Sequence, residues 1–140
     1  MSGEQSGPAA AGRQVRIMKL TLLALMLVAV QVSAHHSFQA EFDANQPITL
    51  KGVVSKVDWR NPHSYIFLDV KDENGKVVTW QCEGFPPNML IRQGWSRDTL
   101  KAGDAVSISG YRAKDGSNVI NSREVTFPDG TKRYGGPPAD

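Results

Sequence analysis

Three histidines are the side chains best able to do chemistry in this sequence of 140 residues. His35 and His36 are adjacent and directly follow the small-residue pattern Val32-Ser33-Ala34, whereas His63 stands alone in the stretch NPH. Imidazole nitrogen is a good ligand for zinc, copper, iron and nickel. The histidines therefore indicate a metal site, provided that the rest of the chain brings them together.

The residues ahead of His35 have the pattern of an export signal. Lys19 precedes the uncharged stretch LTLLALMLVAV, which runs from Leu20 to Val30, and the small residues that end at Ala34 follow. A basic start, a short apolar stretch and an A-x-A-like end are typical of a secretory signal peptide. We predict cleavage after Ala34 and a periplasmic location. The apolar stretch is shorter than the roughly 20 residues that span a bilayer, so we expect no permanent membrane anchor.

Cleavage after Ala34 would make His35 the first residue of the mature protein. Its free amine and its imidazole could then bind one metal ion, and His63 could complete the site. Such a site resembles the histidine brace of exported copper proteins, and nitrogen ligands suit Cu(II). His36 offers another chelate, formed by the amine, its own amide nitrogen and its ring. We expect copper binding by His35, His36 and His63, for storage or delivery. The alternative is a polar arm at the start and a histidine that caps a turn.

The composition of the mature chain limits the other function classes. Removal of residues 1–34 takes away Glu4, Arg13, Arg16 and Lys19, which leaves 13 basic and 13 acidic side chains. A chain so close to neutral lacks the basic face that binds nucleic acid. We divide the chain into an N-terminal extension with signal peptide (1–34), an arm (35–47), one small domain (48–134) and a mobile tail (135–140).

Three strands are predicted in the first half of the domain. From Ile48, ITLKGVVSKVDW is rich in β-branched residues, and Gly52 suggests a bulge or bend within it. HSYIFLDVK alternates apolar and polar side chains as a second strand. Asn74-Gly75 is typical of a tight hairpin turn, which leads into a third strand over Val77 to Glu83.

The second half of the domain predicts a helix and two more strands. FPPNMLIRQGW begins with prolines and ends in glycine, as short helices do. AVSISGYR and residues 118–127 then form strands four and five. Three strands, one short helix and two strands are the order of a mainly β, five-stranded OB-like barrel. The competing fold, a β-sandwich, usually needs about seven strands.

Several phrases carry a resemblance to a known family. AHHSFQAEFD, WRNPHSYIFLDV and GWSRDTLKAGDAVSISGYRAKDGSN, followed by PDG, resemble a family of small exported bacterial proteins of unknown function. Its signatures are HHSF, NPH and GYRAKDG, and the likeness covers residues 34–134. The resemblance implies export and an OB-like fold. It implies no activity, because one fold hosts many functions.

An enzyme is not expected. The sequence contains no G-x-S-x-G nucleophile motif and no phosphate-binding loop, and we interpret the strand-end acids Asp58, Asp69 and Glu83 as solvated charges. The alternative to copper binding is a metal-free module that binds a ligand or a periplasmic protein through an aromatic face of the barrel. Trp59 and Tyr65 are the candidate ligand-binding residues of that face.

Overall fold

Strands with alternating apolar and polar side chains form a sheet in this protein. The computed structural model describes residues 38–137. The described residues from Gln39 onward belong to one compact unit. Residues 38–41 are helical, immediately ahead of the first strand. The elements that follow are β1 (Phe42–Asp58), β2 (Tyr65–Lys71), β3 (Val77–Glu83), a short helix (Pro87–Arg92), β4 (Ala105–Ala113), β5 (Val119–Thr126) and β6 (Lys132–Tyr134).

The described strands form one six-stranded sheet in the order β3-β2-β1-β4-β5-β6, and neighbours in this order are antiparallel. A parallel pairing between β3 and β5 also joins residues 81–83 to residues 119–121. Strands β1, β2, β3, β5 and β4 therefore form a closed ring of pairings. The predicted count of five strands omits β6, which the turn after Phe127 brings back against Thr126.

The inward-facing side chains of the ring make the hydrophobic core. The short helix contributes Leu90, and Trp95 follows it into the same cluster, where its Nε1 donates to the carbonyl oxygen of Tyr134 at 2.9 Å. Burying a large apolar side chain stabilises a fold by roughly 1.5–3 kcal/mol. The cluster consists of Leu50, Val54, Ile66, Leu68, Cys82, Leu90, Trp95, Leu100, Val106, Ile108, Ile120 and Val125.

No helix among residues 38–137 combines the length and the apolar character needed to cross a membrane.

Strand β1 differs from its prediction in two respects: where it starts and where its pairing with β2 is irregular. β1 begins at Phe42, six residues ahead of the predicted Ile48, and Phe42 is buried. The shift in its pairing with β2 lies between Val54 and Lys56 and not at Gly52. Gly52 is required for another reason: a Cβ atom there would lie 2.3 Å from the carbonyl oxygen of Asp69.

We expect Gly52→Ala to lower the free energy of unfolding by about 1–3 kcal/mol, because the added methyl group forces two paired strands apart. Gly135→Ala is the matched control, since a Cβ atom at Gly135 meets its nearest neighbours at 3.7 and 4.0 Å, in ordinary contact. Urea unfolding of both variants measures the difference. Equal losses for the two variants would show that close packing at Gly52 is unimportant.

Candidate functional site

His63 and Glu83 form the most distinctive polar pair of the described domain. His63 lies in the loop between β1 and β2, and Glu83 is the last residue of β3. Nδ1 of His63 lies 2.7 Å from Oε1 of Glu83. The His63 side chain is 43% exposed, whereas that of Glu83 is 14% exposed. The pair thus combines an accessible ring with a carboxylate that is largely shielded from water.

The backbone around the pair is tied together by hydrogen bonds. The buried Ser64 donates from its amide to the Phe85 carbonyl at 3.2 Å and from its hydroxyl to the same oxygen at 2.6 Å. The Gly84 amide donates in return to the Ser64 carbonyl at 2.9 Å. Each residue of the pair is therefore adjacent to a fixed residue. The fold of the loop thus brings the backbones of His63 and Glu83 close together, and their side chains complete the 2.7 Å contact.

The electrostatics of Glu83 favour this contact. Burial raises the pKa of the Glu83 carboxyl, His63 counteracts that rise, and the nearby Glu41 adds to it. A carboxylate that has lost water is stabilised by a close hydrogen-bond donor. His63 supplies that donor. The interaction is therefore worth more to Glu83 than an exposed surface pair would be.

Tyr65 and Arg60 border the pair. Tyr65 is directly opposite Glu83 in the β2–β3 register, and the Arg60 guanidinium lies 4.6 Å from the centre of the Tyr65 ring. Burial raises the pKa of the Tyr65 hydroxyl, Glu83 raises it further, and Arg60 opposes both effects. Arg60 also lies 3.6 Å from the carboxylate of Asp58. Tyr65 therefore lies under the influence of both the Glu83 carboxylate and the Arg60 guanidinium.

Trp59 and Tyr65, the two residues proposed for a ligand-binding face, are both half-buried. Trp59 packs against the core and lines a cavity of about 20 Å³, room for about one water molecule, together with Ile66 and Cys82. Tyr65 precedes the buried Ile66, so strand alternation directs it away from the core. A ligand-binding face shared by the two residues stays a prediction.

Two of the three predicted metal ligands lie outside the residues that the structure describes. His35 and His36 precede residue 38, so the structure describes only His63 of the three histidines. Residues 38–137 contain no group of three or more His, Cys, Asp or Glu side chains placed to hold a metal ion. Cys82 is buried, and burial raises the pKa of its thiol to about 12. A thiol in this state is a poor metal ligand.

Sequence reasoning noted Glu83 only as a strand-end acid and missed its contact with His63. The signal was present in the hairpin. A turn over residues 72–75 pairs Lys71 with Val77 and, continuing along the ladder, Tyr65 with Glu83. His63 is two residues before Tyr65. If the strand alternation continues into the loop, the two side chains lie on the same face. Extending the register through the loop would have placed a carboxylate beside the histidine.

Comparison with known protein families identifies a match for this chain. The model of a family described as "Family of unknown function (DUF6152)" matches residues 23–121. No curated protein and no solved structure matches the chain.

Proposed function

The chain belongs to the family of unknown function DUF6152, and for this member we propose an exported, periplasmic binding protein that stores or delivers copper. The metal would be held by the amine and imidazole of His35, as the first residue of the mature chain, and by the imidazole of His63. His36 would supply an alternative chelate at the same terminus. Nitrogen ligands of this kind suit Cu(II), which also leads the affinity order of divalent ions.

The observation that carries the proposal is the contact between Nδ1 of His63 and Oε1 of Glu83 at 2.7 Å. A histidine that binds metal nearly always donates its other ring N–H to a carboxylate, a carbonyl or water, which fixes the ring and raises its basicity. His63 has such a partner, and its ring is 43% exposed. A histidine that only caps a turn has no need of a shielded carboxylate.

The route of the chain near Glu41 also supports the proposal. The Glu41 carbonyl accepts a hydrogen bond of 2.9 Å from the Lys114 amide, and the Glu41 carboxylate is close enough to raise the pKa of Glu83. Five residues lie between His35 and Glu41, and residues 38–41 are helical. A helix rises about 1.5 Å per residue and an extended chain covers about 3.3–3.6 Å per residue, so His35 could lie up to roughly 15 Å from Glu41. A metal ion shared by His35 and His63 would lie within that reach.

We further propose that the closed ring of β1, β2, β3, β5 and β4 is an OB-type barrel. The short helix between β3 and β4 supports this assignment, as does the position of β1 between β2 and β4. Export follows from the pattern of residues 18–34, which has the basic start, apolar stretch and small-residue end of a signal peptide.

A copper titration of the protein purified from the periplasm tests the proposed function. We expect one Cu(II) ion per chain and a loss of affinity on the order of 100-fold in His63→Ala, because a ligand within the same molecule acts at a high effective concentration. Glu73→Ala, at an exposed turn residue that the proposed site does not use, serves as the control and should leave the affinity unchanged. Equal affinities of His63→Ala and the unaltered protein would refute the proposal.

One observation favours the alternative of a metal-free binding module. Tyr65 and Phe67 alternate with buried residues of β2, and a cation lies over each ring: Arg60 at 4.6 Å and Lys56 at 5.5 Å. Aromatic rings beside exposed cations offer stacking and hydrogen bonding to a polar ligand. If the affinity for Cu(II) does not depend on His63, this outer face of β2 becomes the candidate binding site.

A further inference from the structure

We infer that Glu83 is a positioning residue for the metal site: it holds His63 with a proton on Nδ1, so that Nε2 is the atom that binds the metal. The inference rests on the proposed function for its metal, and it specifies which atom of His63 is used. It also assigns a role to a carboxylate that never touches the metal.

Nδ1 of His63 is the atom that donates to the Glu83 carboxylate. A carboxylate accepts hydrogen bonds, and in neutral imidazole only one nitrogen carries a proton. Nδ1 of His63 lies 2.7 Å from Oε1 of Glu83, so Nδ1–H donates and Nε2 keeps its lone pair. The second ring nitrogen is thereby prepared for a metal ion before any metal arrives.

The other ring nitrogen of His63, Nε2, has no competing donor in the described domain. Among residues 38–137, no side chain or backbone group forms a hydrogen bond with Nε2 of His63. The His63 side chain is also 43% exposed. An imidazole nitrogen with a lone pair and no competing donor, on a side chain that solvent reaches, is suited to bind a metal ion.

Hydrogen bonds tie together the backbone next to His63 and Glu83. The Ser64 hydroxyl and amide both donate to the Phe85 carbonyl, and the Gly84 amide donates to the Ser64 carbonyl. These bonds fix the residue after His63 against the residues after Glu83. The backbone therefore keeps the two residues adjacent, and Glu83, whose side chain is only 14% exposed, is suited to orient the His63 ring.

The experiment combines a readout without metal and a readout with Cu(II). Nitrogen chemical shifts of the His63 ring, recorded at pH 8 on the metal-free full-length mature protein, report which nitrogen carries the proton. We expect the Nδ1–H form in the unaltered protein and a mixture of both forms in Glu83→Ala. We also expect Glu83→Ala to bind Cu(II) about 10–100-fold more weakly. Glu83→Gln, whose amide oxygen still accepts from Nδ1–H, should recover most of the lost affinity.

Glu73→Ala is the control, because Glu73 is an exposed acid in the turn at the opposite end of the β2–β3 hairpin. It should change neither the shifts nor the affinity. Two results would overturn the inference. One is a chemical-shift pattern that places the His63 proton on Nε2 in the unaltered protein. The other is an unchanged Cu(II) affinity in Glu83→Ala. Failure of the unaltered protein to bind Cu(II) would instead refute the proposed function, while the Nδ1–H form would still support the orienting role of Glu83.

Discussion

Placing four residues, Gly-Ser-Gly-Ser, ahead of His35 should lower the affinity for Cu(II) by on the order of 100-fold, because the extension removes the amine from its position beside the His35 imidazole. The amine and the ring of one residue act together only when that residue is the first of the chain. The prediction depends on cleavage after Ala34 and on chelation by the terminus. It is independent of the fold of residues 38–137.

The length of the extension matters. A one-residue extension would leave the new amine close enough to His35 or His36 to share a chelate with the ring, whereas four residues separate the amine from both histidines. The control carries the same four residues after Pro138, where the tail is remote in sequence from the histidines. A competition titration compares the two forms with the unaltered mature chain. Unchanged affinity in the amino-terminally extended form would exclude the terminal amine as a ligand.

Ile108→Ala should lower the free energy of unfolding by about 2–5 kcal/mol. Ile108 is fully buried on β4, where it is paired with Leu50 on β1 and with Val125 on β5. Truncation leaves a cavity in the centre of the ring, between strands that cannot close it. Since a domain of this size is stable by only about 5–15 kcal/mol, the loss should be a large fraction of the total.

Ile91→Ala makes the same chemical change on the surface. Ile91 is 62% exposed on the short helix, so its truncation should alter the free energy of unfolding by no more than about 0.5 kcal/mol. Urea unfolding gives both values, and an unchanged slope against urea concentration would show that the unfolded states are comparable. A loss below about 1 kcal/mol for Ile108→Ala would contradict a core centred on the ring.

The elements that the sequence predicted well are those with a strong local signal. β2 and β3 were expected because apolar residues alternate on both sides of Asn74-Gly75, and the helix because prolines precede it and Gly94 follows it. The sixth strand was missed because three residues, Lys132 to Tyr134, are too few to show a period. Their strand geometry depends on pairing with β5, a contact made across a turn.

The irregularity of β1 was placed wrongly for a related reason. Gly52 marks a point of close approach to the Asp69 carbonyl, and a glycine that serves close packing cannot be told by sequence from one that forms a bulge. The actual register shift is next to Ser55, a residue type without a bulge signature. Position in the sheet, and not residue type, determines which residue of the strand has no partner in the neighbouring strand.

The candidate site was only half predictable. His63 was identifiable by its residue type and its position in a turn. Glu83 was visible as a strand-end acid, but its contact with His63 depends on the β2–β3 register that the turn over residues 72–75 sets and on the hydrogen bonds of Ser64. Buried serines of this kind have no motif. The arrangement of partners therefore required the three-dimensional structure.

The most direct test of the central claim is electron paramagnetic resonance of Cu(II) bound to the mature protein, exported and cleaved in the cell. Intact mass first establishes that the chain starts at His35. We predict a single species with one Cu(II) per chain and nitrogen couplings from the amine and from two imidazoles, one of which disappears in His63→Ala. A spectrum that is the same with and without His63 would contradict a copper site that joins the terminus to the folded domain.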